Sequence, residues 1–140
     1  MEHRALYPAL VTTLALLVYF WNFMSCGAAR GKHKIQAPAT TGAPEFERAL
    51  RIQQNMLEQL MLFLPSLWIF SLTTPALWPG MLWVATGLGL LFVLGRIIYS
   101  ASYAKDPATR GLGFGLGALP TMILLIGSLV GVINLLLTET

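Results

Sequence analysis

The 140-residue chain is 56% hydrophobic and 11% charged, with a mean hydropathy of +0.67 and a formal net charge of +3. Soluble domains carry roughly 25% charged residues, so this composition excludes a water-soluble enzyme and points to a single membrane domain. The basic residues cluster in short loops without the interleaved aromatics of a nucleic-acid surface, so no nucleic-acid partner is expected, and the lone Cys26 has no partner for an intramolecular disulfide.

Three stretches hold no Asp, Glu, Lys or Arg: Ala5–Ala29, Gln59–Gly95 and Gly111–Thr138. A helix needs about 20 apolar residues to cross the hydrocarbon, so the first and third stretches fit one span each. Phe23-Met24-Ser25-Cys26 faintly resembles a lipoprotein cleavage site, but the run before it is long for a signal core and its basic flank is Arg4 alone. An uncleaved span is expected. The middle stretch is too long for one span, and Thr73-Thr74-Pro75-Ala76-Leu77-Trp78-Pro79-Gly80 breaks it with a turn. The result is an all-α membrane protein, a four-transmembrane-helix bundle filling residues 1–140 as one domain. Its helices are expected at about 5–27, 44–72, 80–104 and 108–137.

Charge asymmetry orients the bundle. Arg30, Lys32 and Lys34 lie between helices 1 and 2, and Lys105 and Arg110 at the 3–4 connection, against Arg4 alone on the other side. The positive-inside rule puts both basic connections in the cytoplasm and both termini away from it. Trp21, Trp68, Trp78 and Trp83 fall near span ends, where interfacial anchors sit.

The second helix opens with Pro44, followed by Glu45 and Glu47, which favour the positive end of the helix dipole. At about 42 Å it exceeds the hydrocarbon thickness, so its first turns project toward the cytoplasm. On that portion Arg48, Arg51, Asn55 and Glu58 share an arc of roughly 80°. A structural ion pair would explain Glu58 alone; a polar pocket explains the whole face. In the third helix Arg96, Tyr99 and Tyr103 share a face about 60° wide. Asp106-Pro107 reads as an N-cap and first-turn proline opening the fourth helix, with Arg110 in its first turn. A guanidinium there opposes the helix dipole, so helix stability does not account for it. A membrane-interface anchor would account for Arg110 taken by itself. Together the two faces offer guanidiniums, an amide, a carboxylate and phenols at one depth, a site for a small polar zwitterion carrying several carboxylates.

Gly111-Leu112-Gly113-Phe114-Gly115-Leu116-Gly117 follows no strand and is read as a helix-packing stripe rather than a nucleotide loop, as are Gly127 and Gly131. Pro120 is expected to kink the fourth helix. His3 and His33 have no partners at metal-ligand spacing, and no metal is expected.

Phe46-Glu47-Arg48-Ala49-Leu50-Arg51-Ile52-Gln53-Gln54-Asn55-Met56-Leu57-Glu58 resembles the Phe-Glu-Arg-x-x-Arg-x-x-x-Asn-x-x-Glu signature of the membrane-associated proteins in eicosanoid and glutathione metabolism, the MAPEG family. Thr40-Thr41-Gly42-Ala43-Pro44-Glu45 and Gly95-Arg96-Ile97-Ile98-Tyr99-Ser100-Ala101-Ser102-Tyr103-Ala104 fit the same pattern. The resemblance covers nearly the whole chain and implies a homotrimer of four-helix subunits. It implies that glutathione is co-substrate, held by Arg51, Asn55, Glu58, Arg96, Tyr99, Tyr103 and Arg110 of one subunit and by Arg30 and Gln53 of its neighbour. Arg110 stands where the family has its thiol-activating arginine. Tyr99 is its expected catalytic partner, donating to the sulfur or to the product oxyanion. The implied activity is a microsomal-type glutathione transferase for detoxification, conjugating lipophilic electrophiles and reducing lipid hydroperoxides, in contact with membrane lipid. Its membrane would be the inner or plasma membrane of a bacterium, or the endoplasmic reticulum of a eukaryote. Gly31 and Gln59 depart from the leukotriene synthase pattern, which has arginine and tyrosine there, so a leukotriene-type substrate is not expected.

Two other classes fit parts of the pattern. A non-catalytic lipid-binding scaffold resembling the five-lipoxygenase-activating protein has no need of the full arginine, asparagine and glutamate set. A small multidrug exporter needs a proton-coupling residue within its spans, and the first span has none.

Overall fold

A computed structural model describes residues 3–138, and the described residues are helical or in short connections, with no strand. A 3-10 turn, His3–Ala5, leads into α1, Leu6–His33; α2 spans Pro44–Thr73, α3 Met81–Lys105 and α4 Gly111–Thr138. Two further 3-10 turns, Thr74–Ala76 and Pro107–Thr109, join α2 to α3 and α3 to α4. All four helices are long and apolar enough to cross a membrane.

One apolar core binds the bundle: Val11, Ala15 and Val18 of α1, Met56, Leu60, Phe63, Leu67 and Phe70 of α2, Ala85, Phe92 and Val93 of α3, and Leu124 of α4. At its centre the Phe63 and Phe92 rings stack with centroids 3.7 Å apart and planes 5° from parallel. The opposite helix faces present Leu10, Leu17, Met61, Leu119 and Leu129, all exposed and suited to lipid. A smaller cluster of Cys26, Ala29 and Phe46, with Ile35 packed on it, fastens the α1–α2 connection.

Glycines set the α3–α4 approach. A Cβ on Gly95 would fall 2.7 Å from the Leu116 carbonyl carbon, and one on Gly113 would collide with the Tyr99 backbone. Only glycine admits backbones this close, and the contact fixes Arg96 and Tyr99 against α4.

The boundaries differ from expectation in two places. Helix α1 runs to His33, well beyond the apolar stretch, and ends at Lys34 in the left-handed conformation (φ 54°). Hydrated ends need no apolar side chains, so hydropathy underestimates the helix. Asp106 does act as a cap, accepting from the Ala108 amide at 3.0 Å, but it caps the 3-10 turn rather than α4. Arg110 therefore sits at the junction before α4, not inside its first turn.

Candidate functional site

A cleft of about 360 Å³ opens between α2, α3 and the start of α4, lined by Arg51, Asn55, Tyr99, Tyr103, Arg110 and Phe114. Each element supplies its residues one helical turn apart. Arg51 and Asn55 are four apart on α2, as are Tyr99 and Tyr103 on α3, so each pair shares a face. The two phenol rings lie 5.5 Å apart and 26° from parallel. Arg110 is placed by the turn Asp106 caps, and its carbonyl accepts from the Phe114 amide at 2.9 Å. Phe114 thus stands one turn above Arg110 and gives the cleft its apolar wall.

Arg96 does not line the cleft. It lies beneath it, fully buried, and its Nη2 donates to Asn55 Oδ1 at 2.7 Å. Its guanidinium carbon sits 4.2 Å from the centroid of the Tyr99 ring. Arginine has no acceptor, so the Asn55 atom facing it must be the amide oxygen. That pairing fixes the amide and leaves Nδ2 as a donor on the cleft side. Arg96 Nε and Nη1 are buried with no hydrogen-bond partner among the described residues. A buried guanidinium without a carboxylate raises the positive potential of whatever lies above it.

Glu58 lies at the edge of this arrangement, with Oε1 3.6 Å from Arg51 Nη1 and both side chains about half exposed (58% and 51%). No Asp or Glu lines the cleft itself. Facing two arginines, with a third behind and amide and phenol donors between, the cleft is built for an anion. Arg30 and Gln53 lie outside it. Arg30 Nη1 donates to the Ala39 carbonyl at 2.8 Å, and its guanidinium stacks over Phe46 at 4.6 Å. Gln53 is half-buried on another face of α2 from Arg51.

Sequence reasoning missed Phe114, whose signal was its i+4 spacing from Arg110, and it gave Arg96 a place at the surface of the site. The helical wheel placed Arg96 on the Tyr99 side correctly but carried no information about depth. Among the described residues no three His, Cys, Asp or Glu side chains gather in a metal-binding group.

The chain is 42% identical to an uncharacterized protein from Synechocystis over 91% of its own length and 89% of that protein's. It is 34% identical to human microsomal glutathione S-transferase 2 over 99% of this chain and 90% of that one. With leukotriene C4 synthase of Cavia porcellus it shares 32% identity over 79% of this chain and 69% of the relative. The profile of the MAPEG family matches residues 8–130, which include every cleft residue, and the chain is therefore a member of the MAPEG family.

Proposed function

We propose that this protein is a membrane-bound glutathione transferase of the microsomal type, acting as a single domain, that joins the glutathione thiolate to lipophilic electrophiles. The observation that carries the reading is the cleft, which gathers Arg51, Asn55, Tyr99, Tyr103 and Arg110 with no carboxylate among them. Relatives named for glutathione transfer and for leukotriene C4 synthesis support it.

Arg51 forks onto a glutathione carboxylate, Asn55 Nδ2 donates beside it, and Glu58 accepts the ammonium. Arg110 faces the sulfur. An unperturbed thiol with pKa about 8.5 is only a few per cent ionised at neutral pH. A guanidinium in a poorly hydrated pocket lowers that pKa; two units correspond to roughly 2.7 kcal/mol and make the thiolate the major species. The thiolate then attacks the electrophilic carbon, the carbon–sulfur bond forms as the leaving bond breaks, and Tyr99 donates to the developing oxyanion. With a lipid hydroperoxide the same thiolate attacks the terminal oxygen, yielding alkoxide and a sulfenic acid, which a second glutathione converts to disulfide and water.

Arg30 and Gln53 lie outside the cleft of their own subunit and complete a neighbour's site in a homotrimer with α2 toward the centre. The basic connections face the cytoplasm and the termini face away from it, in the inner or plasma membrane of a bacterium or the endoplasmic reticulum of a eukaryote.

Purified protein tested with glutathione and a panel of lipophilic electrophiles decides the reading. Glutathione binding with conjugation turnover supports it; binding of lipid without binding of glutathione rejects it in favour of a scaffold.

A further inference from the structure

A second cleft, of about 350 Å³, lies between α1, α2 and α3 and shares no lining residue with the first. Its walls are slender: Ser25, Ala28 and Ala29 of α1, Ala49 of α2 and Ala104 of α3 leave a groove where larger side chains would close the bundle. Two of its polar lining residues are buried, Asn22 and Ser100, exposed by only 2% and 3%. Asn22 Nδ2 and Ser100 Oγ are buried with no hydrogen-bond partner among the described residues. Both belong to helices apolar enough to cross a membrane, where an unpaired donor is costly and water is scarce.

The mouth of the groove is charged but self-neutralised. Lys32 Nζ lies 2.9 Å from Glu45 Oε2, and His33 Nε2 lies 2.8 Å from the same oxygen. An incoming carboxylate or phosphate would find the lysine engaged and a carboxylate beside it. Slender apolar walls, two orphaned donors and a mouth without free positive charge specify one kind of ligand: a narrow, uncharged amphiphile with a hydrogen-bond acceptor. Water alone would bridge the two donors but leave Ala28, Ala29, Ala49, Ile52 and Ala104 facing it without a partner, and a buried water makes about three hydrogen bonds.

We propose that this groove binds one neutral single-chain lipid, its ester carbonyl accepting from Asn22 Nδ2 and Ser100 Oγ as those side chains turn toward it, and its chain lying along the alanines. Trp21, at the edge of the groove, forms an aromatic wall against it. The site stands apart from glutathione chemistry, because none of its residues belongs to the first cleft.

The test is lipid retention by the purified full-length protein in nonionic micelles, read by native mass spectrometry. Monoolein, oleate and lysophosphatidic acid are offered at equal concentration. Monoolein is expected to stay bound, one per chain, in clear excess over both anions. Removing a donor with Asn22→Leu, or with Ser100→Ala should the first variant not fold, is expected to cut retention roughly tenfold. Filling the groove with Ala28→Leu should do the same, while helical content by circular dichroism stays unchanged. Retention of either anion as strong as that of monoolein overturns the proposal, because the mouth then acts as a cation. Equal monoolein retention by the parent and Ala28→Leu also overturns it, because the lipid then sits on the outer surface.

Discussion

The two ends of the bundle satisfy their buried polar groups in different ways. Toward the α2–α3 turn the hydroxyls bond within the protein: Thr74 Oγ1 to the Phe70 carbonyl at 2.8 Å, and Ser128 Oγ to the carbonyls of Ser66 at 2.9 Å and Leu124 at 2.7 Å. Trp68 Nε1 donates to Thr12 Oγ1 at 3.0 Å, and Ser71 Oγ is the exception that finds nothing. Toward the basic connections the orphans accumulate: Asn22 Nδ2, Arg48 Nε, Ser100 Oγ and two guanidinium nitrogens of Arg96. The first end is held mostly by its own bonds, with a smaller cleft of about 230 Å³ beside Ser71. The second leaves its donors unpaired, and the two larger clefts open there.

The largest effect that sharpens this contrast belongs to the closed core. Phe92→Ala removes one ring of the Phe63 stack from a fully buried position and is expected to cost about 3–5 kcal/mol of stability. Denaturant titration in mixed micelles measures it. A loss below about 1 kcal/mol would mean that the core is not what holds the helices.

At the open end the expected losses fall on binding. Arg51→Ala should weaken glutathione binding by roughly tenfold to a hundredfold, the range for charge-assisted hydrogen bonds, with little change in thermal unfolding. Calorimetry on the purified protein checks it. Unchanged affinity would place the ligand carboxylates elsewhere.

The smallest effect tests the buried cation. Arg96→Met removes a guanidinium that has no carboxylate partner but leaves Asn55 Oδ1 unpaired. These terms oppose one another, so stability should change by no more than about 1 kcal/mol. Glutathione affinity should still fall about tenfold, because the freed Asn55 amide can turn its oxygen to the ligand. A large stability loss with intact affinity would make Arg96 purely structural.

Much of this was legible in the sequence because it depends on local periodicity. Charge-free stretches reported the spans, and the i+4 spacing of Arg51 with Asn55 and Tyr99 with Tyr103 reported two faces that the fold turns toward one cleft. Depth was not legible: Arg96 and Tyr103 read alike on a helical wheel, yet one is fully buried and the other half-buried. Nor was the second cleft. Asn22 and Ser100 carry no charge and hide inside spans recognised by counting charges, and only the packing of α1 against α3 places both on one groove. The end of α1 lies beyond the expected one for a related reason: Arg30 and Lys32 continue the helix past the apolar stretch, where hydropathy gives no signal.

The proposed chemistry depends most on Arg110 as the group that holds the glutathione sulfur as thiolate. The direct measurement is the ultraviolet difference absorbance of thiolate when glutathione is added to purified parent protein and to Arg110→Ala, with glutathione affinity determined in parallel. The parent should show the thiolate band at neutral pH. Arg110→Ala should lose the band and most conjugation turnover while its affinity falls much less than that of Arg51→Ala. An Arg110→Ala protein that keeps both the band and the turnover would show that Arg110 is an interface anchor and contradict the mechanism.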